Sequence, residues 1–269
     1  MFRLSCLTPI SSRTFQDQAG IPFLQGIKAT LRALKGLGFY ATCKQNGISP
    51  LPPATGKAED LEGESLNRLV ASHGLTLPRQ AVASSSAEAA IKAKEMGFPV
   101  ALKLLAPEVV HKTELGAVVL GLRNAEEVGS QGERLLAKAR GGKLLVQEMV
   151  EGAEVLVGAR TDPQFGPFIM VGLGGIFVEV LKDVSLRLLP VDEKEALAML
   201  KELKGYRVLE GVRGQAPRDV PALVKAITGL STLFATHRSW ISDLEVNPLI
   251  VRQEGKGVAA VDVRMIRSV

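Results

Sequence analysis

The chain has 269 residues, of which 46% are apolar and 23% charged, with a formal net charge of +5 at pH 7. This length and composition are typical of a globular protein with one large domain or two small ones. No apolar run approaches the ~20 residues of a membrane span, and an aromatic content of 4% argues against a base-stacking nucleic-acid surface. The composition therefore predicts a soluble protein that binds neither membrane nor nucleic acid.

The positive charge is concentrated in residues 1–57, which hold seven Lys and Arg residues against one acid, Asp17. Both cysteines, Cys6 and Cys43, lie in the same segment. The rest of the chain is nearly neutral and lacks cysteine, which fits a reducing compartment such as the cytoplasm and excludes a disulfide framework there. A basic nucleic-acid- or membrane-binding protein that uses residues 1–57 is the alternative class.

Residues 1–57 also carry three local patterns. Residues 1–16 contain Arg and Ser but no acid, a composition typical of an organelle transit peptide. Apolar residues recur at helical spacing from Leu24 to Leu37 with basic side chains opposite, which predicts an amphipathic helix. Residues 46–57 are rich in Pro and Gly and are interpreted as a linker.

From about Ala58, helix and strand patterns follow one another as in an α/β or α+β domain. We expect helices at Leu61–His73, Ser86–Met96, Asn124–Ala139 (capped by Asn124), Glu193–Lys204 and Asp219–Ala235. We expect strands at Gln80–Ala83, Pro99–Leu105, Ala117–Leu122, Lys143–Val150, Glu154–Thr161, Phe168–Leu173 and Val184–Leu189. The chain ends in a predicted hairpin whose turn is Glu254-Gly255.

The segment from Gly97 to Leu122 contains two strand-like apolar runs joined by a polar loop that carries His111. Lys103 lies inside the first run, where a buried lysine costs several kcal/mol unless an anion lies beside it. The segment therefore allows two interpretations. Either an anionic ligand binds beside Lys103, or Lys103 points outward from a half-exposed strand.

The register of the C-terminal hairpin follows from its turn. With Glu254-Gly255 as a two-residue turn, Asn247 lies directly opposite Asp262, and opposed side chains have Cβ atoms about 4.5–5.5 Å apart. Glu245 falls on the same face as Asn247. These oxygen ligands suit Mg²⁺, which takes few protein ligands plus phosphates. A solvated polar face is the alternative, but the metal site is favoured because the acids lie within apolar runs.

A glycine cluster follows the predicted strand Phe168–Leu173. Gly174 and Gly175 would let backbone N–H groups approach a phosphate, although a tight turn is the default and the cluster is not a Walker A loop. Arg187 repeats the pattern of Lys103, a cation within an apolar run. Two such cations with two facing metal ligands indicate nucleotide phosphates bound with Mg²⁺.

Four ordered motifs resemble a known family. They are LKLLAPEVVHKTELGAV, QEMVEGAEVLVGARTDPQFGPFIMVGLGGIFVEVLKD, LEGVRGQAPRDVPAL, and DLEVNPLIV with AVDVRM. Together they resemble the ATP-grasp domain of the NDP-forming acyl-CoA synthetases, which include the ADP-forming acetyl-CoA synthetases and are related to succinyl-CoA synthetase. The resemblance covers about Ala58 to Ile266 and implies an ATP-grasp fold, in which two α+β lobes hold the nucleotide between them.

The resemblance implies three segments in the chain. Residues 58–269 form the ATP-grasp domain, and residues 46–57 form a linker. The earlier segment AGIPFLQGIKATLRAL resembles the tail of the CoA-ligase region that precedes this domain in fused family members. Residues 1–45 are therefore interpreted as a remnant of that region or as a flexible basic segment.

The resemblance also implies roles for individual residues. In catalysis, His111 relays phosphate as a phosphohistidine, Arg187 steadies the transferring phosphoryl group, and Glu245 meets the phosphohistidine. The implied nucleotide contacts are Lys103 on the phosphates, Gln147, Glu148, Met149 and Val150 as the strand whose backbone meets adenine, Glu148 and Glu154 near adenine and ribose, and Gly174 and Gly175 near the phosphates. Asn247 and Asp262 match the Mg²⁺ ligands.

The implied reaction converts acyl-CoA, ADP and phosphate to acid, ATP and CoA, with ATP/ADP and Mg²⁺ as cofactors. The family's CoA-binding domain would lie upstream of residue 20, so we expect a CoA-binding alpha-type subunit as partner in a hetero-oligomer. The alternative is a truncated, catalytically incomplete ATP-grasp fragment that binds nucleotide only. Two departures matter: Gly116-Ala117 and Gly152-Ala153 replace pairs of glycines, and an alanine held at positive φ would strain its loop.

Overall fold

The computed structural model describes residues 3–5, 17–18, 23–46, 50–61, 63–106, 116–174, 183–212, 214 and 216–268. The chain divides into two compact units, Met1–Pro50 and Leu51–Val269. Among the described residues, no helix is both long enough and apolar enough to cross a membrane.

The first unit contains a small parallel sheet and one long helix. Strand β1 (Arg3–Ser5) pairs in parallel with β2 (Phe23–Gln25), and helix α1 spans Ile27–Asn46. The predicted helix is confirmed from Ile27 onwards and continues well beyond Leu37, whereas Leu24, the first residue of the predicted stripe, lies in β2. Leu31 and Leu34 of that stripe are exposed.

The described part of the second unit has six α-helices, a short 3-10 helix at Ala58–Leu61 and ten strands. The helices are α2 (Gly63–Ser72), α3 (Ser86–Met96), α4 (Ala125–Leu136), α5 (Glu193–Glu202), α6 (Arg207–Glu210) and α7 (Val220–His237). The strands are β3 (Gln80–Ala83), β4 (Val100–Leu105), β5 (Val118–Leu122), β6 (Lys143–Glu148), β7 (Ala153–Asp162), β8 (Gly166–Leu173), β9 (Val184–Leu188), β10 (Ile241–Val251), β11 (Val258–Ala260) and β12 (Val263–Arg267).

Local capping sets several helix boundaries close to their predicted positions. The side chain of Asn124 accepts a hydrogen bond from the backbone N–H of Glu127 at 2.8 Å, which satisfies one of the free donors at the start of α4. Helix α3 ends at Gly97, whose φ of +92° favours glycine. Short α6 was not predicted, because its four residues are too few to show a helical period.

The strands form two sheets, which correspond to the two expected lobes. The small sheet has the antiparallel order β3-β6-β4-β5 and the large one the order β11-β10-β7-β8-β9, with β12 also paired to β10. One face of the small sheet packs its aliphatic side chains against α3 and α4. One face of the large sheet does the same against α5 and α7. Because side chains alternate along a strand, the opposite faces carry the remaining side chains.

Residues 51–57 lie against the C-terminal end of α7. The N–H of Gly56 donates to the carbonyl of Thr236 at 3.0 Å, and the indole of Trp240 donates to the carbonyl of Gly56 at 2.9 Å. A Cβ on Gly56 would lie 2.1 Å from the ring of His237, so only glycine fits there. The boundary between the two units therefore precedes the predicted end of the linker at residue 57.

Candidate functional site

The C-terminal hairpin has the predicted register. Its turn closes with a hydrogen bond from the N–H of Lys256 to the carbonyl of Gln253 at 2.9 Å, across Glu254-Gly255. From Asp243 to Val251, the partners of β10 in β11 and β12 keep the same register, which shifts only at Ile241. The N–H of Asn247 donates to the carbonyl of Asp262 at 3.0 Å, which confirms that these two residues face each other.

Both arms of the hairpin shift their alternation at this pair. In β10, Val246 and Leu249 are both in the core although an odd number of positions separates them, and in the other arm Ala260 and Val263 show the same shift. The shift coincides with an irregularity in the pairing of β10 with β7. Asn247 between the two core positions is consequently exposed, and the pair is turned away from the helices.

The atoms of this pair fit a hard cation. The side-chain amide of Asn247 donates from Nδ2 to Oε1 of Glu245 at 3.2 Å, which confirms that both lie on one face. Because the carboxylate accepts this bond, the amide oxygen of Asn247 is left for another partner. With Asp262 it offers two oxygens of the kind that ligate Mg²⁺, which completes such sites with water and phosphate oxygens. The described residues contain no group of three or more His, Cys, Asp or Glu able to hold a metal.

Lys103 is buried and faces this hairpin. Its neighbours Leu102 and Leu104 face α3 and α4, so Lys103 lies on the opposite face of β4. Only 5% of the residue is exposed, and Nζ donates to the carbonyl of Val261 at 3.1 Å. The interpretation of an outward-pointing lysine is therefore wrong. The buried cation lies next to the peptide that precedes Asp262.

Gln147 contacts the same carbonyl. Its Nε2 donates to the carbonyl of Val261 at 3.1 Å and to Oε1 of Gln80 at 3.1 Å, while only 1% of Gln147 is exposed. The resemblance implies a role for the backbone here, and the side-chain contact was not predicted. The signal in the sequence was a glutamine within an apolar run, the same pattern that singled out Lys103.

The end of β6 leads from the small sheet towards the large one. The N–H of Glu148 donates to the carbonyl of Arg79 at 2.9 Å and that of Met149 to the carbonyl of Pro99 at 3.3 Å. These two amides are therefore already paired. Among the described residues, no acceptor lies on the N–H of Val150, two positions after the end of β6.

The carboxylate of Glu148 is held by an ion pair. The Nε of Arg79 lies 2.5 Å from its Oε2. Burial raises the pKa of Glu148, but hydrogen bonds from the side chain and backbone of Arg79 outweigh burial and hold the pKa below its ordinary value of 4.5. Glu148 is thus ionised at neutral pH, with its charge directed to Arg79.

Gly174 lies directly against Glu154. Its N–H donates to the carbonyl of Glu154 at 2.7 Å, and a Cβ on Gly174 would lie 2.7 Å from the Cβ of Glu154. This close approach requires glycine whether or not a phosphate binds nearby. Gly175 and His111 lie outside the described residues, so their predicted roles stay predictions.

The structure shows which residue of each Gly-Ala pair carries the steric constraint. Gly116 adopts a φ of +58°, while Ala117 is buried in the small core. A Cβ on Gly152 would lie 2.4 Å from the carbonyl oxygen of Val251, whereas Ala153 is an ordinary residue of β7. The first glycine of each pair carries the steric constraint.

Arg187 is not brought together with this group. It pairs across the sheet with Ile169, a core residue, and so lies on the face covered by α5. Its Nε lies 2.8 Å from a carboxylate oxygen of Glu195, and it also pairs with Glu202. Hydrogen bonds to Glu202 raise the pKa of Arg187. The structure thus gives Arg187 two carboxylate partners where a phosphoryl group was expected.

Two other arginines lie on the face that carries Glu245. Arg264 of β12 is the cross-strand partner of Glu245, and Arg160 of β7 is the partner of Asp243. Sequence reasoning missed both, although the register that paired Asn247 with its partner also pairs Glu245 with Arg264. Applying it along the whole hairpin would have found that cation.

Comparisons with known proteins agree with this arrangement. Residues 54–266 match the family model described as an ATP-grasp domain. Over 221 residues the chain is 37% identical to the acetate–CoA ligase [ADP-forming] II subunit beta of Pyrococcus furiosus, a match that covers 79% of this chain and 93% of that one. The chain belongs to the ATP-grasp family, in its branch of ADP-forming acyl-CoA synthetases.

Solved structures of this branch share the fold. The crystal structure of PH1788 from Pyrococcus horikoshii superposes with a TM-score of 0.69 at 37% identity, covering 76% of this chain and 90% of that one. The dinucleotide-forming acetyl-coenzyme A synthetase 1 of Ca. Korarchaeum cryptofilum, solved in complex with coenzyme A, Ca-AMPCP and HgCl⁺, gives a TM-score of 0.68 at 35% identity over 76% of this ATP-grasp chain and 92% of its own. The α+β ATP-grasp fold with two lobes is confirmed.

A longer relative extends the match. Acetate–CoA ligase [ADP-forming] I of Archaeoglobus fulgidus is 37% identical over 271 residues, which covers 92% of this ATP-grasp chain and 39% of the relative. That share of this chain exceeds what residues 54–266 can supply, so the match includes part of the N-terminal unit.

Proposed function

We propose that this chain is the ATP- and Mg²⁺-binding, phosphoryl-transferring portion of an ADP-forming acyl-CoA synthetase, which converts acyl-CoA, ADP and phosphate to acid, ATP and CoA. The observation that carries the proposal is the contact between buried Lys103 and the carbonyl of Val261 at 3.1 Å. It brings a cation from the small sheet to the oxygen ligands Asn247 and Asp262 of the large sheet, so that one phosphate chain can meet both.

The division of labour follows from the chemistry of these groups. Lys103 holds the phosphates, and Asn247 and Asp262 hold Mg²⁺, which when bound spreads the charge on the phosphate oxygens. In the reverse direction of this reaction, an imidazole nitrogen of His111 attacks the γ-phosphorus of ATP, an N–P bond forms, and the bond to the ADP oxygen breaks. Glu245, held in place by Asn247 at 3.2 Å, meets the phosphohistidine and balances its positive charge.

The partner proposed for this chain is a CoA-binding alpha-type subunit. Support comes from the relatives of Pyrococcus furiosus, which are named as beta subunits. The match to the longer Archaeoglobus fulgidus chain supports the assignment of residues before 54 to a region that precedes the ATP-grasp domain in fused enzymes. We propose a cytoplasmic hetero-oligomer in which the partner supplies the CoA site, so that this chain alone binds Mg-ATP without forming acyl-CoA.

The test uses γ-labelled ATP with Mg²⁺ and the full chain. We expect wild type and His73→Ala to acquire acid-labile, alkali-stable label, because His73 lies just after α2 and its ring bonds to the carbonyl of Leu69 in that helix. His111→Ala should acquire none. Labelling of His111→Ala at the wild-type level would refute the proposal that His111 is the phosphorylated residue.

Three further results bear on the proposal as a whole. Nucleotide binding without any label in wild type would leave the chain as a nucleotide-binding fragment. Formation of acyl-CoA by the purified chain alone would show that no partner is needed. Failure of wild type to bind Mg-ADP by calorimetry would overturn the assignment of the site.

A further inference from the structure

The carbonyl of Val261 is held by two side chains of the opposite lobe. Nζ of Lys103 and Nε2 of Gln147 each donate to it at 3.1 Å. On the other side of the same residue, the N–H of Val261 donates to the carbonyl of Pro248 at 3.1 Å. Val261 immediately precedes Asp262, so these bonds fix the orientation of the peptide that carries a proposed metal ligand.

The side chain of Gln147 has one possible orientation. A backbone carbonyl only accepts hydrogen bonds, so the nitrogen of the amide must face Val261, where it also reaches Gln80. The oxygen Oε1 is then buried and, among the described residues, has no hydrogen-bond partner. An unpaired buried oxygen lowers stability, whereas Leu145 and Val146 on the same strand are apolar. Stability alone does not explain a glutamine at this position.

We propose that Gln147 is a positioning residue for metal binding, because its side chain holds the Val261 peptide and thereby directs Asp262 towards Mg²⁺. This inference rests on the proposed function. Lys103 contacts the same carbonyl but is also assigned to the phosphates. The side chain of Gln147, in contrast, is assigned only to the carbonyl of Val261 and not to the nucleotide phosphates.

A residue that positions a metal ligand affects the binding of the metal, and does not affect the binding of the nucleotide when no metal is present. Residues that orient a metal ligand change metal affinity by about 10- to 100-fold when they are mutated. We therefore expect Gln147→Met to weaken ADP binding in the presence of Mg²⁺ by roughly 10-fold and to leave ADP binding in EDTA unchanged. Gln147→Glu should be at least as severe, because a carboxylate cannot donate to Val261.

The experiment is isothermal titration calorimetry of the full chain with ADP, with Mg²⁺ and with EDTA, supported by electron paramagnetic resonance of bound Mn²⁺. Val146→Ala is the matched control. Val146 lies on the same strand as Gln147, but its side chain packs in the core between the small sheet and its helices. This control should lower thermal stability and keep the wild-type ratio of the two ADP affinities. Lys103→Met should weaken ADP binding under both conditions.

Each outcome decides the matter. A loss confined to Mg²⁺ and Mn²⁺ conditions in both Gln147 variants supports the positioning role. An equal loss with and without metal would assign Gln147 to the nucleotide instead, and wild-type affinities in either folded variant would overturn the inference. If wild type itself shows no metal-dependent ADP binding, the proposed function fails before this inference is reached.

Discussion

Lys103→Met tests the contact proposed between Lys103 and the nucleotide phosphates. Lys103 belongs to β4 of the small sheet and is 5% exposed. Its ammonium group contacts the carbonyl of Val261. Methionine has a similar length and no charge, so the substitution removes a buried cation without leaving a large cavity. The variant loses a hydrogen bond from a charged donor, which is worth about 1.5–3 kcal/mol, so we expect the free energy of unfolding to fall by about this amount and the variant to remain folded.

The expected effect on binding is large. A hydrogen bond to a charged group is worth about 1.5–3 kcal/mol, and about 1.4 kcal/mol corresponds to a tenfold change in affinity. Loss of one such bond to phosphate therefore weakens Mg-ADP binding by roughly 10- to 150-fold. Calorimetry measures the affinity, and urea denaturation measures the stability of the same preparation.

Lys138→Met is the matched control. Lys138 is exposed and its Nζ also donates to a backbone carbonyl, that of Gly116, at 2.6 Å, so the control removes the same kind of bond away from Val261. It should bind Mg-ADP as wild type does. Wild-type binding by a folded Lys103→Met variant would refute the assignment of Lys103 to the phosphates.

Three other predictions concern neighbouring positions. Gly174→Ala should lower the free energy of unfolding by about 1–3 kcal/mol, because its Cβ would lie 2.7 Å from that of Glu154; unchanged urea denaturation would contradict the close packing. Glu148 has a folded pKa held below 4.5, chiefly by Arg79 against the opposing effect of burial, so it stabilises the fold above that pH and loses the effect as pH falls through the folded pKa. Glu148→Gln should therefore be less stable than wild type at pH 7, and denaturation curves of the two should converge in acid; a constant gap would exclude the ion pair as its cause. Arg187→Leu should change thermal stability while leaving Mg-ADP affinity intact, because two glutamates of α5 hold its guanidinium; lost phosphoryl transfer at wild-type stability would restore Arg187 to the reaction.

Much of the fold could be predicted because its signals are local. Asn124 begins α4 and Gly97 ends α3, each through a hydrogen bond to a residue a few positions away. The hairpin register followed from a two-residue turn, since one turn sets every later pair. The two strands β4 and β5 were predicted, but their pairing and the orders of the two sheets depend on contacts between distant segments that no local pattern contains.

The candidate site divides in the same way. Asn247 and Asp262 could be paired from the sequence because they share one hairpin. Arg187 looked equivalent to Lys103, a cation within an apolar run, yet the two residues lie in different surroundings. Lys103 faces Val261 of the other lobe, whereas Arg187 faces Glu195 of a helix packed on its own sheet. The alternation of side chains along a strand shows which residues share a face of the sheet, but it does not show what packs against that face.

The sequence by itself determined the family, the strands and helices, and the opposed oxygen ligands of the last hairpin, because motif spacing and turn geometry act over short distances along the chain. Only the tertiary structure decided that Lys103 and Gln147 meet at Val261. That meeting joins β4 and β6 to a peptide more than a hundred residues later, and it arises because the helices cover one face of each sheet and leave these polar side chains on the other.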